Sequence, residues 1–380
     1  MFEAATTDGP LKGLLVVSIE QAVAAPFCTV RLADAGARVI KIERLEGETA
    51  RHYDSTVHGL SAYFVWLNRG KASTALDLKS HTDLSLLRRM VAKADVLIQN
   101  LAPGAIGRLG LASADLVVRF PKLIIVNITG YGQDTPYADM RAYDLLVQAE
   151  SGLCAVTGTP QQPSKVGISV ADIATGMNAY AAILESLLQR ARTGTGKIIE
   201  IAMFDAMADW MTVPLLHHEH AARETGRHGL SHASIYPYAP YTCRDGGVII
   251  IAIQQPSEWI RFCTNVLDRS DLVTDTRFAT NPLRVANRSA LDAEIAPMFA
   301  ALDRPEAIRR LEAAQIAWGK MSEVKDLAAH PALRRMEVML PDGTGVLVPR
   351  PAGRHRLTDL IPSVPALGVD TDRIRAEFAP

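Results

Sequence analysis

Cysteine is scarce: Cys28, Cys154, Cys243 and Cys263 are the only four in 380 residues, and no two stand as C-x-x-C. That excludes the paired-thiol motifs of zinc knuckles and redox centres, and scattered thiols in a chain this long fit a reducing compartment. Neither sign of charge is in excess, with 40 Lys plus Arg against 41 Asp plus Glu and a net charge of -1. Such a balance makes no field to gather a polyanion, so nucleic acid is not an expected partner. A single phosphorylated ligand needs only a local cluster of cations. No apolar run reaches the roughly 18 residues that span a bilayer. Residues 1–10 are polar and lack the basic-then-apolar order of a signal peptide. The expectation is a soluble, cytoplasmic protein with no membrane partner.

What the chain has is apolar bulk, 48% hydrophobic against 21% charged, the profile of a packed core. At this length two domains are expected. Residues 14–20 (LLVVSIE), 38–43 (RVIKIE), 95–99 (DVLIQ) and 123–128 (LIIVNI) read as buried strands, with a further strand at 74–78. Helical periodicity lies between them at 25–36 and 82–94. Strands alternating with helices predict right-handed βαβ units and a mainly parallel sheet. Residues 143–151 read as a helix, 166–170 as extended, 173–192 as a long helix closed by the glycines at 194 and 196, 197–202 as a strand and 204–220 as a helix. Residues 223–240, rich in Gly, Ser, His, Tyr and Pro, mark a linker or functional loop. A strand at 247–253 opens a smaller domain with helices at 258–267, 289–301 and 305–314. Strands at 338–340 and 346–348 and a helix at 371–378 follow.

The opening unit has the outline of a dinucleotide site, with Glu43 where a ribose-binding acid would sit. Its first turn, Glu20-Gln21-Ala22-Val23-Ala24-Ala25-Pro26, contains no glycine, so the backbone cannot approach a pyrophosphate and NAD is not expected. Arg44 follows the second strand, where a guanidinium suits a ribose phosphate or is simply a solvated surface group. Asp172 stands between an extended segment and a long helix. An aspartate there is an N-terminal cap, or a nucleophile held by helix amides among the small residues Gly167, Ala171, Ala174 and Gly176. The histidines 217, 218 and 220 do not have the spacing of a helical metal motif, and Gly194-Thr195-Gly196-Lys197 lacks the phosphate-loop spacing, so no metal is expected.

Several segments occur in an order that resembles the class III CoA-transferases, the family of formyl-CoA transferase and carnitine CoA-transferase, whose fold alpha-methylacyl-CoA racemase shares. They are Ala25-Pro26 with residues 32–44 (LADAGARVIKIER), residues 94–100 (ADVLIQN) with Pro103-Gly104 and Arg108-Leu109-Gly110, Gly130-Tyr131-Gly132, Tyr143-Asp144, residues 170–176 (VADIATG), residues 193–197 (TGTGK) with Met203-Phe204-Asp205, and Pro365-Ala366-Leu367-Gly368. The resemblance runs from residue 11 to about residue 374. It implies an α/β fold: a Rossmann-like large domain built from both chain ends (1–222 and 325–380), a linker or active-site loop at 223–240, and a smaller α+β domain at 241–324. It also implies an interlocked, ring-like homodimer.

The resemblance implies coenzyme A as cosubstrate, exchanged between an acyl-CoA and a free carboxylic acid through an aspartyl thioester. Asp172 falls on the nucleophile. Arg44, Leu76, Asn100, Leu101, Arg108 and Leu109 fall on CoA-contacting positions, and Arg141 on a cation near the CoA diphosphate. Gln21, Asp144, Arg227, His228 and Tyr236 are substrate-side candidates, with His232, Arg51 and His52 as further donors. Val23 stands where formyl-CoA transferase has a glutamine, and residues 223–240 have no counterpart of its glycine-rich lid, which argues against formate or oxalate. Tyr143 stands where the racemase branch has a histidine, which favours transfer, because a phenol is a poor base at neutral pH. The first loop and residues 227–238 look like the branch that handles short dicarboxylates such as mesaconate, citramalate, itaconate, malate or succinate. An acyl-CoA racemase, a non-catalytic CoA-binding protein and an NAD-linked oxidoreductase are the alternatives.

Overall fold

The computed structural model describes residues 9–221, 224–353 and 361–380. Most of the polar N-terminal stretch, and Arg223 at the start of the 223–240 loop, lie outside the described residues. The chain divides into two compact units, Met1–Leu153 with Lys165–Val213 and Arg334–Pro380, and Cys154–Ser164 with Pro214–Leu333.

In the first unit the β-branched runs form strands β1 (Leu15–Ile19), β2 (Arg38–Glu43), β3 (Lys71–Ala75), β4 (Val96–Gln99), β5 (Ile124–Thr129) and β6 (Ile198–Ala202). They make one six-stranded sheet in the order β3-β2-β1-β4-β5-β6, each neighbouring pair parallel. Alternate residues serve opposite faces. Val16, Val39, Ile98 and Val126 pack with Cys28, Leu32, Ala179 and Ile183, while Val17, Ile40, Leu97 and Ile125 pack with Leu86, Met90, Ile374 and Phe378. Both faces are covered, as a parallel sheet requires. The strand order turns between β1 and β4, and in open α/β sheets the crevice beyond the carboxyl ends at such a point receives the ligand.

The long helix Val170–Thr193 crosses Ala24–Asp34 at Gly176, where an added Cβ would lie 2.5 Å from the Ala24 carbonyl oxygen. That approach needs a glycine and brings the start of the long helix to the carboxyl edge of the sheet. The helix begins at Val170, so the extended 166–170 expectation fails at its last residue, and Asp172 lies inside the first turn. The third strand lies at Lys71–Ala75 rather than 74–78. The helix expected over 204–220 is broken into Met203–Trp210 and Thr212–Ala221, because Pro214 cannot donate to the Trp210 carbonyl. The C-terminal helix Thr371–Glu377 returns to this unit, its Thr371 Oγ1 accepting from the Ala75 N–H at 3.0 Å.

The second unit has the antiparallel sheet β7 (Tyr238–Thr242), β8 (Val248–Ala252) and β9 (Ala317–Lys320), in that order. Its core gathers Ile249, Ile251, Phe262, Phe278, Leu291 and Phe299. The hairpin of β10 (Arg335–Met339) and β11 (Gly345–Pro349) belongs to the first unit, where Met336 and Val338 pack on Phe64 and Val65.

Candidate active site

Asp172, the expected nucleophile, lies in the first turn of the helix Val170–Thr193. The first-turn N–H groups of Ala171 and Asp172 donate to Asp144 Oδ1, at 2.8 and 3.3 Å, so it is Asp144 that caps the helix. Asp144 Oδ2 accepts from Gln148 Nε2 at 2.6 Å, and Gln148 Oε1 accepts the Val166 N–H at 2.9 Å. The helix amides expected to hold Asp172 therefore hold its neighbour. Burial, then the nearby Asp144 charge, raise the Asp172 carboxyl to about 7. Among the described residues no hydrogen bond to its side chain offsets them. Burial pushes the Tyr53 hydroxyl up, and Asp172 is near enough for its charge to add to that. Ile173 packs with Val23, Tyr63 and Phe27, which fastens this turn to the first loop.

Parallel topology places Gln21, Arg44 and Asn100 together at the carboxyl ends of β1, β2 and β4. At the turning point between β1 and β4, Gln21 N–H donates to Asn100 Oδ1 and Asn100 Nδ2 to the Gln21 carbonyl, each at 2.9 Å. Ala22 has φ +61°, and its N–H is caught by Glu48 Oε2 at 2.8 Å. Beneath this loop Glu20, Lys41, Glu48 and Lys71 form a buried ion cluster. Lys41 Nζ lies 2.7 Å from Glu48 and 3.3 Å from Glu20, and Lys71 Nζ lies 2.6 Å from Glu20. Sequence reasoning missed this cluster, whose members are up to 51 residues apart. Alternating charges on successive strand ends are the one signal that could have hinted at it.

Arg44, Arg108 and Arg141 are exposed beyond β2, at the end of the short helix Ala105–Arg108 and in the loop before Asp144. Leu101 and Leu109 are half-buried. Leu76 is 1% exposed in the core, so only its backbone can meet a ligand. Glu43 accepts from Arg51 Nε and Nη2, both at 2.7 Å, and from Ser73 Oγ, also at 2.7 Å. Neither Glu43 as a ribose acid nor Arg51 as a substrate donor is available, because each is spent on the other. His52 Nε2 lies 3.2 Å from the Glu46 carbonyl oxygen.

The substrate-side candidates of residues 227–238 are in the second unit, and two of them are engaged within it. Arg227 donates to the carbonyls of Thr159, Ala155 and Pro160, at 2.9, 3.2 and 3.0 Å, and so holds its own loop. Tyr236 is buried, its hydroxyl donating to Asp292 and its ring covered by the Arg288 guanidinium. His228 Nδ1 lies 3.5 Å from Arg288 Nη1, and the His232 ring stacks on Tyr238. The described residues contain no cluster of side chains suited to a metal ion.

The model of the CoA-transferase family III matches residues 11–371. A succinate–glutarate CoA-transferase of Agrobacterium fabrum is 33% identical over 97% of this chain and 96% of its own. An acetyl-CoA:oxalate CoA-transferase of Acetobacter aceti is 32% identical over 99% of this chain and 97% of its own. The crystal structure of a CaiB/BaiF family protein from Brucella suis matches with a TM-score of 0.80 at 34% identity, covering 97% of this chain and 99% of that one.

Proposed function

The chain belongs to CoA-transferase family III and is a CoA-transferase, and from that premise we propose that it passes CoA from an acyl-CoA to a short dicarboxylate through a thioester on Asp172. The observation that carries this is the half-buried Asp172 carboxylate, raised to about 7 and without a side-chain hydrogen bond among the described residues. A carboxylate of ordinary acidity is a weak nucleophile. One that is short of solvation and partners is a stronger one.

The Asp172 carboxylate attacks the thioester carbonyl, giving a mixed anhydride and CoA thiolate. The thiolate attacks the aspartyl carbonyl, forming the Asp172 thioester and releasing the donor acid. The acceptor carboxylate attacks that thioester and expels the thiolate, leaving a second anhydride. The thiolate then takes the acceptor acyl group and frees Asp172. No thioester energy is lost to water provided the cleft excludes it. Asp172→Ala should lower exchange by at least about 10³-fold. Hydroxylamine added with acyl-CoA should leave a hydroxamate on Asp172, seen by peptide mass spectrometry. Residual exchange near the wild-type rate, or an unmodified Asp172, would sink the mechanism.

The dicarboxylate class is supported by the relative named for succinate and glutarate, and a relative named for oxalate brings that acid back into consideration. Succinyl-CoA, mesaconyl-CoA and itaconyl-CoA should be set against glutarate, malate, oxalate, formate and aromatic acids. Exchange confined to monocarboxylates would refute the class and leave Asp172 standing. A carboxylate near neutrality also suits the base of an acyl-CoA racemase. Deuterium entering the α-carbon of an acyl-CoA without any free acid would favour that activity.

We also propose a homodimer and a cytoplasmic location. Met177, Leu188 and Trp210 are exposed apolar groups that a second copy would cover, and the four cysteines are unpaired. A monomeric mass by light scattering would refute the dimer.

A further inference from the structure

A row of polar side chains across β4, β5 and β6 takes no part in the chemistry above. Gln99, Asn127 and Glu200 stand opposite one another in the parallel register. They are bonded in one direction. Leu101 N–H donates to Gln99 Oε1 at 2.7 Å, Gln99 Nε2 to Asn127 Oδ1 at 3.0 Å, and Asn127 Nδ2 to Glu200 Oε1 at 2.6 Å. Asn127 Nδ2 also donates to Ser113 Oγ at 2.8 Å. From the other side Gln133 Nε2 donates to Glu200 Oε2 at 3.0 Å. Gln99 and Asn127 are buried, while Glu200 is exposed on the edge strand.

An ionised carboxylate only accepts hydrogen bonds. With Glu200 at its end, Asn127 must present its amide to β6 and its carbonyl to β4. Gln99 must then present its amide to Asn127 and its carbonyl to Leu101. Turning over Gln99 or Asn127 alone sets N–H against N–H. The two ends of the row lie in different loops. Leu101 adjoins Asn100, which grips Gln21, in the stretch that leads to Arg108 and Leu109. Gln133 lies in the loop that leads to Arg141 and Asp144.

We propose that Glu200 is a positioning residue that holds the loops carrying Asn100–Leu109 and Arg141 in register with each other, and so sets the affinity for the CoA moiety. This rests on reading those loops as the CoA site. Glu200 itself touches no reacting atom.

The test is calorimetric titration of CoA into the full chain, with steady-state kinetics alongside. In Glu200→Ala the amides of Asn127 and Gln133 lose their shared acceptor, and the Kd for CoA should rise about fivefold to tenfold. The KM for acyl-CoA should rise with it, while kcat and the KM for the acceptor acid stay within about twofold. Glu200→Gln should recover most of the affinity, because its carbonyl still accepts from Asn127 and a turned-over Gln133 accepts from its amide. A merely structural residue would lower the melting temperature in Glu200→Ala and leave the Kd alone, which would overturn the proposal. Glu200→Gln binding as weakly as Glu200→Ala would overturn it in favour of a simple charge effect. Wild-type protein that fails to bind CoA would instead bring down the reading of the loops, and the proposal with it.

Discussion

Glu20 and Asp172 are two carboxylates withdrawn from water in the same unit, yet they are displaced in opposite directions. Burial pushes both up and is the largest single influence on each. At Glu20 it is outweighed by Lys71 and Lys41 and by hydrogen bonds from Lys71 and Thr29, which bring the carboxyl down to about 2. At Asp172 nothing opposes it, Asp144 adds to it, and the carboxyl rises to about 7. Partners, rather than depth, decide whether a buried acid is inert or poised. The cations of the first region divide on the same logic. Lys41, with Glu20 and Glu48 beside it, is raised despite burial, whereas Lys71 is lowered to about 8 by burial, with the Lys41 charge adding to it. The first region is a paired scaffold under the Gln21–Ala22 turn, and the second is a group left without a partner.

Breaking the scaffold should have the largest effect. Glu20→Gln leaves Lys71 and half of Lys41 without their counter-charge, and loss of one member of a buried ion pair costs about 3–5 kcal/mol. The midpoint of urea unfolding at pH 7 should fall accordingly. Because the folded carboxyl is lowered, its contribution is present above the unfolded value of about 4.3 and is lost as pH falls toward 2. The gap between wild type and Glu20→Gln should therefore narrow over that window. A variant as stable as wild type at pH 7 would mean that the cluster does not hold the turn.

The strands β1, β2, β4, β5 and β6 were legible because each is a short run rich in β-branched residues, and β2 has the bounds read from its sequence. The place of Asp172 at the start of the long helix was legible from the segment around it. The short helix Ala62–Asn68 and strands β7 and β9 were not. The helix is short, carries three aromatics in seven residues and lacks a side-chain cap, and β7 carries a proline in what reads as a loop. The surroundings of the Asp172 carboxylate were also hidden, because its helix is capped by a residue 27 positions before Ala171. Tyr236 and Arg227 looked available because polar groups in a loop read as exposed. Their partners, Asp292 and residues 155–160, are remote in sequence. Local pattern reveals elements and motifs, while the state of an ionisable group depends on contacts between distant segments.

A smaller effect should come from neutralising the unpartnered acid. Asp172→Asn keeps the shape, and the backbone amides at positions 171 and 172 can still reach Asp144. The folded carboxyl is raised from 3.8 to about 7, so stability linked to it is fully present below the unfolded value and is lost as pH rises through about 7. The full shift sets a ceiling of about 4 kcal/mol, and relaxation around the charge should leave about 1–2 kcal/mol. At pH 8 Asp172→Asn should thus melt above wild type, and at pH 4 the two should coincide. A positive helix end favours a negative charge nearby and works the other way. If the asparagine variant is the less stable at pH 8, the helix end outweighs burial and the contrast with Glu20 is weaker than drawn.

The smallest effect sharpens the contrast by removing only the second of the two influences on Asp172. Asp144→Asn deletes the like charge but can keep the cap, since an amide carbonyl accepts from the Ala171 and Asp172 N–H groups as a carboxylate does. Its amide would face Gln148 Nε2, and Gln148 cannot turn over without giving up the Val166 N–H. That one bond is lost, at about 1 kcal/mol, so the variant should fold. The proposed exchange requires ionised Asp172, so wild-type kcat/KM should fall as pH drops through about 7. In Asp144→Asn that limb should move down by up to about one pH unit and no further, because burial, the larger cause, remains. The plateau above pH 8 should fall slightly, since a less basic carboxylate is a weaker nucleophile. An acceptor acid with both carboxyls ionised throughout keeps its own titration out of the profile. A limb that does not move would show that Asp172 is raised by burial alone. One that drops to the ordinary aspartate range would make Asp144 the dominant partner, and the poise of Asp172 would then be set by a neighbouring charge, as that of Glu20 is, with the sign reversed.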